Sequence, residues 1–315
     1  MRLCLGYNAL PARLSPAIVT IGMFDGVHRA HQRLARAAVS LARRVRAPSV
    51  AVTFDPDPQR VLQPDRPSPS LMPLVRRAAL LGELGIEFVW VIRFTPSFAG
   101  MPAETFVRTV LQRRVRARAV VVGEAFAFGR GRGGDLALLR ALGRRAGIRV
   151  AAVPTVRVDG ERVSSSRIKR LIVQGDLAGA ARLLGRPPEL SGTVVHGSDR
   201  GHRLGFPTAN LRVRHAVWPP AGVYAVRVWH GTRRCRGVMN LGVRPTFLPA
   251  SRHAGRGGSL TCEVHLLDVH PRLYGQPLRL ELWRRLRDER RFRTPAALAA
   301  QIARDVARTR RLLPS

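Results

Sequence analysis

Along the first half of the chain, short apolar runs alternate with stretches in which apolar residues recur at helical spacing. The runs "AIVTIG" (17–22), "SVAVTF" (49–54), "FVWVIRF" (88–94), "AVVVG" (119–123) and "IRVAAV" (148–153) are rich in valine and isoleucine and lack strict alternation. Such runs read as strands covered on both faces. Between them, "QRLARAAVSLARRV" (32–45), "LVRRAALLGELG" (74–85), "ETFVRTVLQRRV" (104–115) and "DLALLRALGRRAG" (135–147) read as amphipathic helices with basic or glycine-containing exits. Regular strand–helix alternation predicts an open parallel α/β sheet. Ligands of such sheets bind outside the carboxyl ends of the strands, so 22–32, 54–58 and 123–135 share one predicted rim.

Residues 164–186 read as two short helices split by Gly175 and Asp176, followed by "RPPEL" (186–190) as a linker. The texture then changes. "SGTVVHG", "GVYAVRVWHG", "RRCRGVMNLG", "LTCEVHLLDV" and "LRLELWRRLR" have a period near two and are separated by Gly, Pro and Asn turns, which predicts a small antiparallel barrel. "LPASRHAGRGGSL" (248–260) is expected to be a mobile loop between two strands. A terminal helix is predicted over 294–313, with Thr294 as N-cap and Pro295 at its first position.

At 315 residues the chain can form two cores, and no run nears the roughly 20 apolar residues that span a bilayer. Its start lacks a signal-peptide pattern, so a cytoplasmic location without membrane partners is expected. Cys4, Cys235 and Cys262 form no CxxC pair and are expected to be buried or partly buried thiols. The 54 basic and 20 acidic residues give a net charge of +34, which suggests nucleic acid. However, Lys169 is the only lysine, and the arginines are spread along the whole chain without a basic tail or an aromatic-interleaved stripe. A specific nucleic-acid partner is therefore not expected, although non-specific polyanion binding is.

The candidate chemistry begins at "GMFDGVHRAHQ" (22–32). Gly22 ends a strand, and Gly26 permits a tight turn into a helix beginning near His31, so backbone N–H groups and the helix's positive end face the rim. His28 and His31 then share one helical face and can hydrogen-bond phosphate oxygens. A metal held by His28, His31 and Asp25, or histidines with only a structural part, are the other readings. A metal needs a further ligand that the nearby sequence does not supply. Placement between strand and helix favours phosphate.

"GMFDGVHRAH" resembles the HxGH-type signature of the nucleotidyltransferase superfamily, in the form found in prokaryotic bifunctional riboflavin kinase/FAD synthetases. The resemblance covers almost the whole chain. "TFDPDP" (53–58), "VVGEAFAFGRGRGGD" (121–135), "VSSSRIKRLIVQGDLAGAARLLGRP" (163–187), "LGFPTANL" (204–211), "GVYAVRV" (222–228), "MNLGVRPTF" (239–247), "EVHLLDVHPRLYG" (263–275) and "LRDERRF" (286–292) follow the family's order. It implies a Rossmann-like nucleotidyltransferase domain with a parallel sheet over 1–185. Over 186–315 it implies a six-stranded antiparallel riboflavin kinase barrel with a terminal helix.

The implied reactions are phosphorylation of riboflavin to FMN by ATP in the second domain, and adenylylation of FMN to FAD with release of pyrophosphate in the first. Riboflavin, FMN and ATP are the implied small-molecule partners, with Mg²⁺ as cofactor. Gly22, Phe24, Asp25, Gly26, His28 and His31 match the family's ATP site for adenylyl transfer, and Ser164, Ser165, Ser166 and Arg167 match the loop over the triphosphate. Without the resemblance, Ser164–Ser166 would read as a helix N-cap, which is compatible. Gly201, Gly205, Pro207, Thr208, Asn210, Arg287 and Glu289 match the kinase's ATP and flavin site, where Thr208 and Asn210 offer oxygens to Mg²⁺. Glu263 matches the general base that takes the ribityl 5′-hydroxyl proton.

Three rim positions depart from the family's pattern. Ala30 stands where glycine is usual, Asp57 where histidine is usual in the "TFDPHP"-like turn, and Ala125 where an acid or amide is usual. Losses of this kind cost roughly 1–3 kcal/mol in typical sites. The expectation is therefore a competent kinase with a weakened adenylyltransferase. The alternatives are a monofunctional riboflavin or flavin-analogue kinase, and a basic RNA-binding or regulatory relative without catalysis.

Overall fold

The computed structural model describes residues 1–12, 14, 16–66, 69–197, 205–214, 216–244, 259–269 and 273–314. By packing, the chain divides into two compact units, Met1–Ser165 and Ser166–Ser315.

The first unit is built on a six-stranded sheet in the order β1 (Arg2–Leu5), β4 (Phe88–Arg93), β3 (Ser49–Asp55), β2 (Ala17–Ile21), β5 (Ala117–Gly123) and β6 (Arg149–Val153). Every neighbouring pair is parallel, as the unalternated apolar runs require. On one face, α1 (Arg29–Arg44) and α3 (Leu74–Glu83) bury Leu34, Ala38, Val39, Ala78 and Leu81 against Ile18, Ala51, Val89 and Ala119. The opposite face carries Phe106, Val110 and Leu111, with Leu139 and Leu142 of α6 (Leu136–Arg145), packed on Val50, Trp90 and Val120.

One expectation needs correction, and several short elements were not anticipated. The edge strand β1 was not anticipated, because its four residues are too few to show a period. The helix expected over 104–115 is an α-helical turn, α5 (Ala103–Phe106), that widens into a π-helix over Val107–Arg114. There Thr109 Oγ1 donates to the Thr105 carbonyl at 2.7 Å, a side-chain bond that competes with the regular ladder. Short helices α2 (Pro58–Leu62) and α4 (Pro96–Ala99) and the two-residue strands β7 (Arg157–Val158) and β8 (Glu161–Arg162) are also present.

Next in the chain, α7 (Ser165–Val173), which starts at the last residue of the first unit, and α8 (Leu177–Leu184) flank the predicted break. Gly175 adopts a φ of 83°, and Asp176 caps α8 by accepting from the Gly179 N–H at 2.7 Å. The barrel closes in the order β10 (Thr208–Val213), β13 (Ser259–Leu266), β12 (Arg233–Arg244), β11 (Gly222–His230), β14 (Pro277–Arg287) and β9 (Glu189–Val195). Its interior holds Tyr224, Val226, Met239, Leu241, Cys262 and Val264. The alternate residues Val223, Ala225 and Val238 face outward and are covered by Val306 of α9 (Pro295–Leu312) and by Leu313, its C-cap. Thr294 caps α9, accepting from the Ala297 N–H at 3.2 Å, with Pro295 first in the helix. "PTAN", which in isolation reads as a turn, opens β10. The segment 248–260 lies almost wholly outside the described residues, apart from Ser259 and Leu260 at the start of β13.

Candidate active sites

The first cluster forms where β2 runs into α1. The chain turns through Phe24 at φ 51°, Gly26 at φ 83° and Val27 at φ 39°. A branched side chain in the left-handed region is strained, and such strain persists where surrounding structure enforces it. Here Phe24, Asp25, Val27 and His28 are all buried. Asp25 Oδ1 accepts from the Leu71 N–H at 2.9 Å, and the Asp25 carbonyl accepts from Ser165 Oγ at 2.8 Å. The serine of the predicted triphosphate loop is thereby brought to the turn. Ser164 precedes it, and Ser166 and Arg167 follow in the first turn of α7. Gly22 lies under the Phe24 ring, whose nearest atom would stand 3.4 Å from a Cβ at that position.

The helix begins at Arg29, earlier than expected, because His28 is its N-cap: Nδ1 accepts from the His31 N–H at 3.4 Å. The two imidazoles stack with centroids 3.6 Å apart and planes 15° from parallel, and Phe24 meets His31 edge-on at 5.3 Å. His31 Nδ1 has no hydrogen-bond partner among the described residues. Burial first, then the His28 ring and the Arg77 guanidinium, push the His31 pKa well below the ordinary histidine value. Among the described residues no group of three or more His, Cys, Asp or Glu side chains suits a metal ion, so the histidine–aspartate metal reading gains no support.

Arg77 and Thr53 belong to this cluster and were not singled out from sequence. Arg77 reads as one basic residue among many on a helix, yet it is only 4% exposed. Its Nη1 donates to Thr53 Oγ1 at 3.3 Å, and Thr53 Oγ1 donates to the Met23 carbonyl at 3.2 Å. All three departing residues are described. Asp57 caps α2 by accepting from the Gln59 N–H at 2.9 Å. Ala30 is partly buried in the first turn of α1, and Ala125 is exposed in the turn after β5. Beside Ala125, Glu124 accepts from the Thr155 N–H at 3.0 Å.

The second cluster lies on the outer face of the barrel. Antiparallel register places Asn210 opposite Glu263, Glu263 opposite Asn240, Asn240 opposite Val223, and Val223 opposite Arg287. Directly opposed residues share a face, so four polar residues from β10, β13, β12 and β14 form one row. Thr208 stands opposite His265 in the next row of that face. His265 Nδ1 lies 2.8 Å from the Pro207 carbonyl, which only accepts, so this nitrogen carries the proton. His265 thus ties down the segment entering Thr208, with Phe206 edge-on to its ring at 5.5 Å. Gly205 has a φ of 79°, and Gly201 lies outside the described residues.

Two glycines leave room for polar side chains. A Cβ on Gly197 would overlap the Asn210 amide, and one on Gly242 would overlap the Glu289 carboxylate. Arg287 Nε donates to Asp305 at 2.9 Å and Nη2 pairs with it at 2.9 Å, anchoring α9 to β14. Gln301 Nε2 donates to the same carboxylate at 3.0 Å. Asn240 and His265 were missed as site residues, although both lie in segments quoted for the family resemblance. Cys262, beside Glu263, is buried and its thiol pKa is pushed up to about 12, first by burial and then by Glu263. As expected, Cys4 is also buried and Cys235 partly so.

Known proteins match both halves. The FAD synthetase family matches residues 10–167 and the riboflavin kinase family residues 184–313. The bifunctional riboflavin kinase/FMN adenylyltransferase of Escherichia coli K12 is 38% identical, over 97% of this chain and 96% of its own. That of Pseudomonas fluorescens is 36% identical, over 99% and 98%. A solved structure from Streptococcus pneumoniae, described as a macrolide-efflux protein, superimposes with a TM-score of 0.85 at 29% identity, covering 98% of this chain and 99% of that one. No helix among the described residues is long and apolar enough to cross a membrane. With both halves matched and relatives aligned from end to end, the chain belongs to the family of bifunctional riboflavin kinase/FMN adenylyltransferases.

Proposed function

We propose that each half of this enzyme runs its reaction on its own cluster, with the domains meeting at 185/186. Support for that boundary comes from the riboflavin kinase match, which begins at residue 184. In the first domain, FMN's phosphate attacks the α-phosphate of ATP, giving FAD and pyrophosphate. His28, His31 and the turn Gly22–Gly26 hold the triphosphate, and Ser164, Ser165, Ser166 and Arg167 close over it. The stacked imidazoles donate hydrogen bonds that strengthen as charge builds on the leaving pyrophosphate.

In the second domain, Glu263 takes the proton of the riboflavin 5′-hydroxyl as the γ-phosphate of ATP is transferred, giving FMN and ADP. Asn210 and Thr208 orient the ATP phosphates, while Gly201, Gly205 and Pro207 shape the loop beside them. Arg287 and Glu289 border the flavin end. The donor set suits Mg²⁺: a hydroxyl and an amide oxygen, both partly exposed, supply hard ligands and leave the remaining positions to water and phosphate. When bound, Mg²⁺ neutralises phosphate charge. ATP, riboflavin and FMN are the partners, and the cytoplasm, which holds ATP, is the location.

The observation that carries the kinase half of this reading is the opposition of Asn210 and Glu263 in one register pair, which supports pairing an amide for phosphate with a carboxylate base. The test is direct. Purified protein is incubated with riboflavin, ATP and Mg²⁺, and flavins are resolved by chromatography. Both FMN and FAD are expected; absence of FMN overturns the kinase assignment, and absence of FAD the adenylyltransferase assignment.

A further inference from the structure

We propose that Arg77 is a positioning residue for adenylyl transfer, a buried counter-charge that lets the stacked His28–His31 pair share its rim with three carboxylates. This inference rests on the adenylyltransferase reading of the first domain. Three observations carry it. Arg77 is 4% exposed, on α3, and its one side-chain hydrogen bond among the described residues runs to Thr53, itself fully buried near the carboxyl end of β3. Its Nε is buried with no hydrogen-bond partner among the described residues. A buried, under-bonded guanidinium is costly, and its persistence at a ligand rim calls for a use. Finally, the carboxylates that favour its charge are Asp25 in the turn after β2, Asp57 at the start of α2 and Asp55 at the end of β3, whereas burial opposes that charge.

The consequence has two parts. Charge that builds on the leaving pyrophosphate at this rim develops beside Asp25, Asp55 and Asp57, whose carboxylates favour the Arg77 charge. Arg77 offsets them from behind. The same positive charge, together with burial and the adjacent His28 ring, disfavours a proton on His31. Two imidazoles at 3.6 Å keep their stack only while at least one is neutral. Arg77 therefore acts through the histidines and the Met23–Asp25 turn, to which Thr53 is bonded, without touching substrate. His28, Arg77 and the three carboxylates are the charged or titratable groups around His31 that enter this argument.

The experiment compares wild-type full-length protein with Arg77→Met and Arg77→Lys. Conversion of supplied FMN to FAD is followed as kcat and KM for ATP between pH 5.5 and 8.5. Histidine ring resonances are titrated by NMR in the same samples, and riboflavin phosphorylation serves as an internal control. Wild-type FAD formation tests the underlying reading; the variants test the inference. In Arg77→Met, kcat is expected to fall at least tenfold with KM for ATP within about twofold. The acidic limb of the kcat profile and the His31 resonance should both move up toward pH 6.5, and Arg77→Lys should restore both. An unchanged pH profile and His31 titration, or a loss confined to KM, overturns the proposal. Should Arg77→Met unfold, Arg77→Gln decides, since it removes the charge and keeps a polar donor near Thr53: a several-fold lower kcat at unchanged KM with the His31 resonance moved up supports the proposal, and an unchanged kcat overturns it.

Discussion

Asn210 on β10 and Glu263 on β13 are directly opposed partners in an antiparallel pair, and Asn240 on β12 continues the row on the far side of Glu263. A carboxylate fixed between two amides on rigid strands is held for proton transfer better than one on a loop. Glu263→Gln keeps the shape and removes the basicity. FMN formation should fall by at least 10²-fold, within the range for a general base. Conversion of supplied FMN to FAD should stay within twofold. Loss of both activities in a folded variant would contradict two separate sites.

Gly197 tests the other side of the same row. Its missing side chain is filled by the Asn210 amide, so Gly197→Ala must push that amide away from its place opposite Glu263. The expected result is a several-fold rise in KM for ATP in the kinase assay with little change in thermal stability. Equal KM values in variant and wild type would show that the amide has no part in ATP binding.

Much of the fold was legible because parallel strands covered on both faces produce unalternated runs, and Val50, Val89 and Val120 are buried as those runs imply. The missed pieces were those whose signal is short or nonlocal. Arg2–Leu5 is too brief to show a period. The widened turn after Phe106 depends on a Thr109 hydroxyl that periodicity does not record. Thr208–Asn210 reads as a turn in isolation because strand pairing with Glu263–His265, more than 50 positions later, is invisible locally. The site shows the same split. His28 and His31 announce themselves in one motif, whereas Arg77 is one of many arginines until its burial is known, and Asp305 matters only through Arg287.

That Arg287–Asp305 pair carries a stability prediction. Asp305 is 4% exposed and accepts from both Arg287 and Gln301, so it fastens α9 to the barrel. Removing one partner of a buried pair leaves an unmatched charge, at a cost of about 3–5 kcal/mol. The Arg287 side chain keeps 16% exposure, which favours the lower end of that range. Asp305→Ala should therefore lower barrel stability by about 3 kcal/mol in urea unfolding followed by circular dichroism. Conversion of FMN to FAD in the folded protein should be retained. A change under 1 kcal/mol would mean that the apolar contacts of Val306 and Leu313 hold the helix by themselves.

The depressed pKa of His31 makes the first domain acid-sensitive. A histidine whose folded pKa lies below its unfolded value binds fewer protons in the native state, so stability rises with pH across that window. The His31 contribution is complete above the ordinary value near 6.5 and is lost progressively as pH falls from there toward the lower folded value. Thermal unfolding of the first domain should therefore shift to lower temperature between pH 7 and pH 5, more than that of His31→Gln, which has no ring to protonate. At pH 7.5 the two proteins should differ only by the lost packing on Phe24 and His28. Parallel pH dependence in both would show that the stacked pair absorbs a proton without strain, leaving other groups responsible for acid lability.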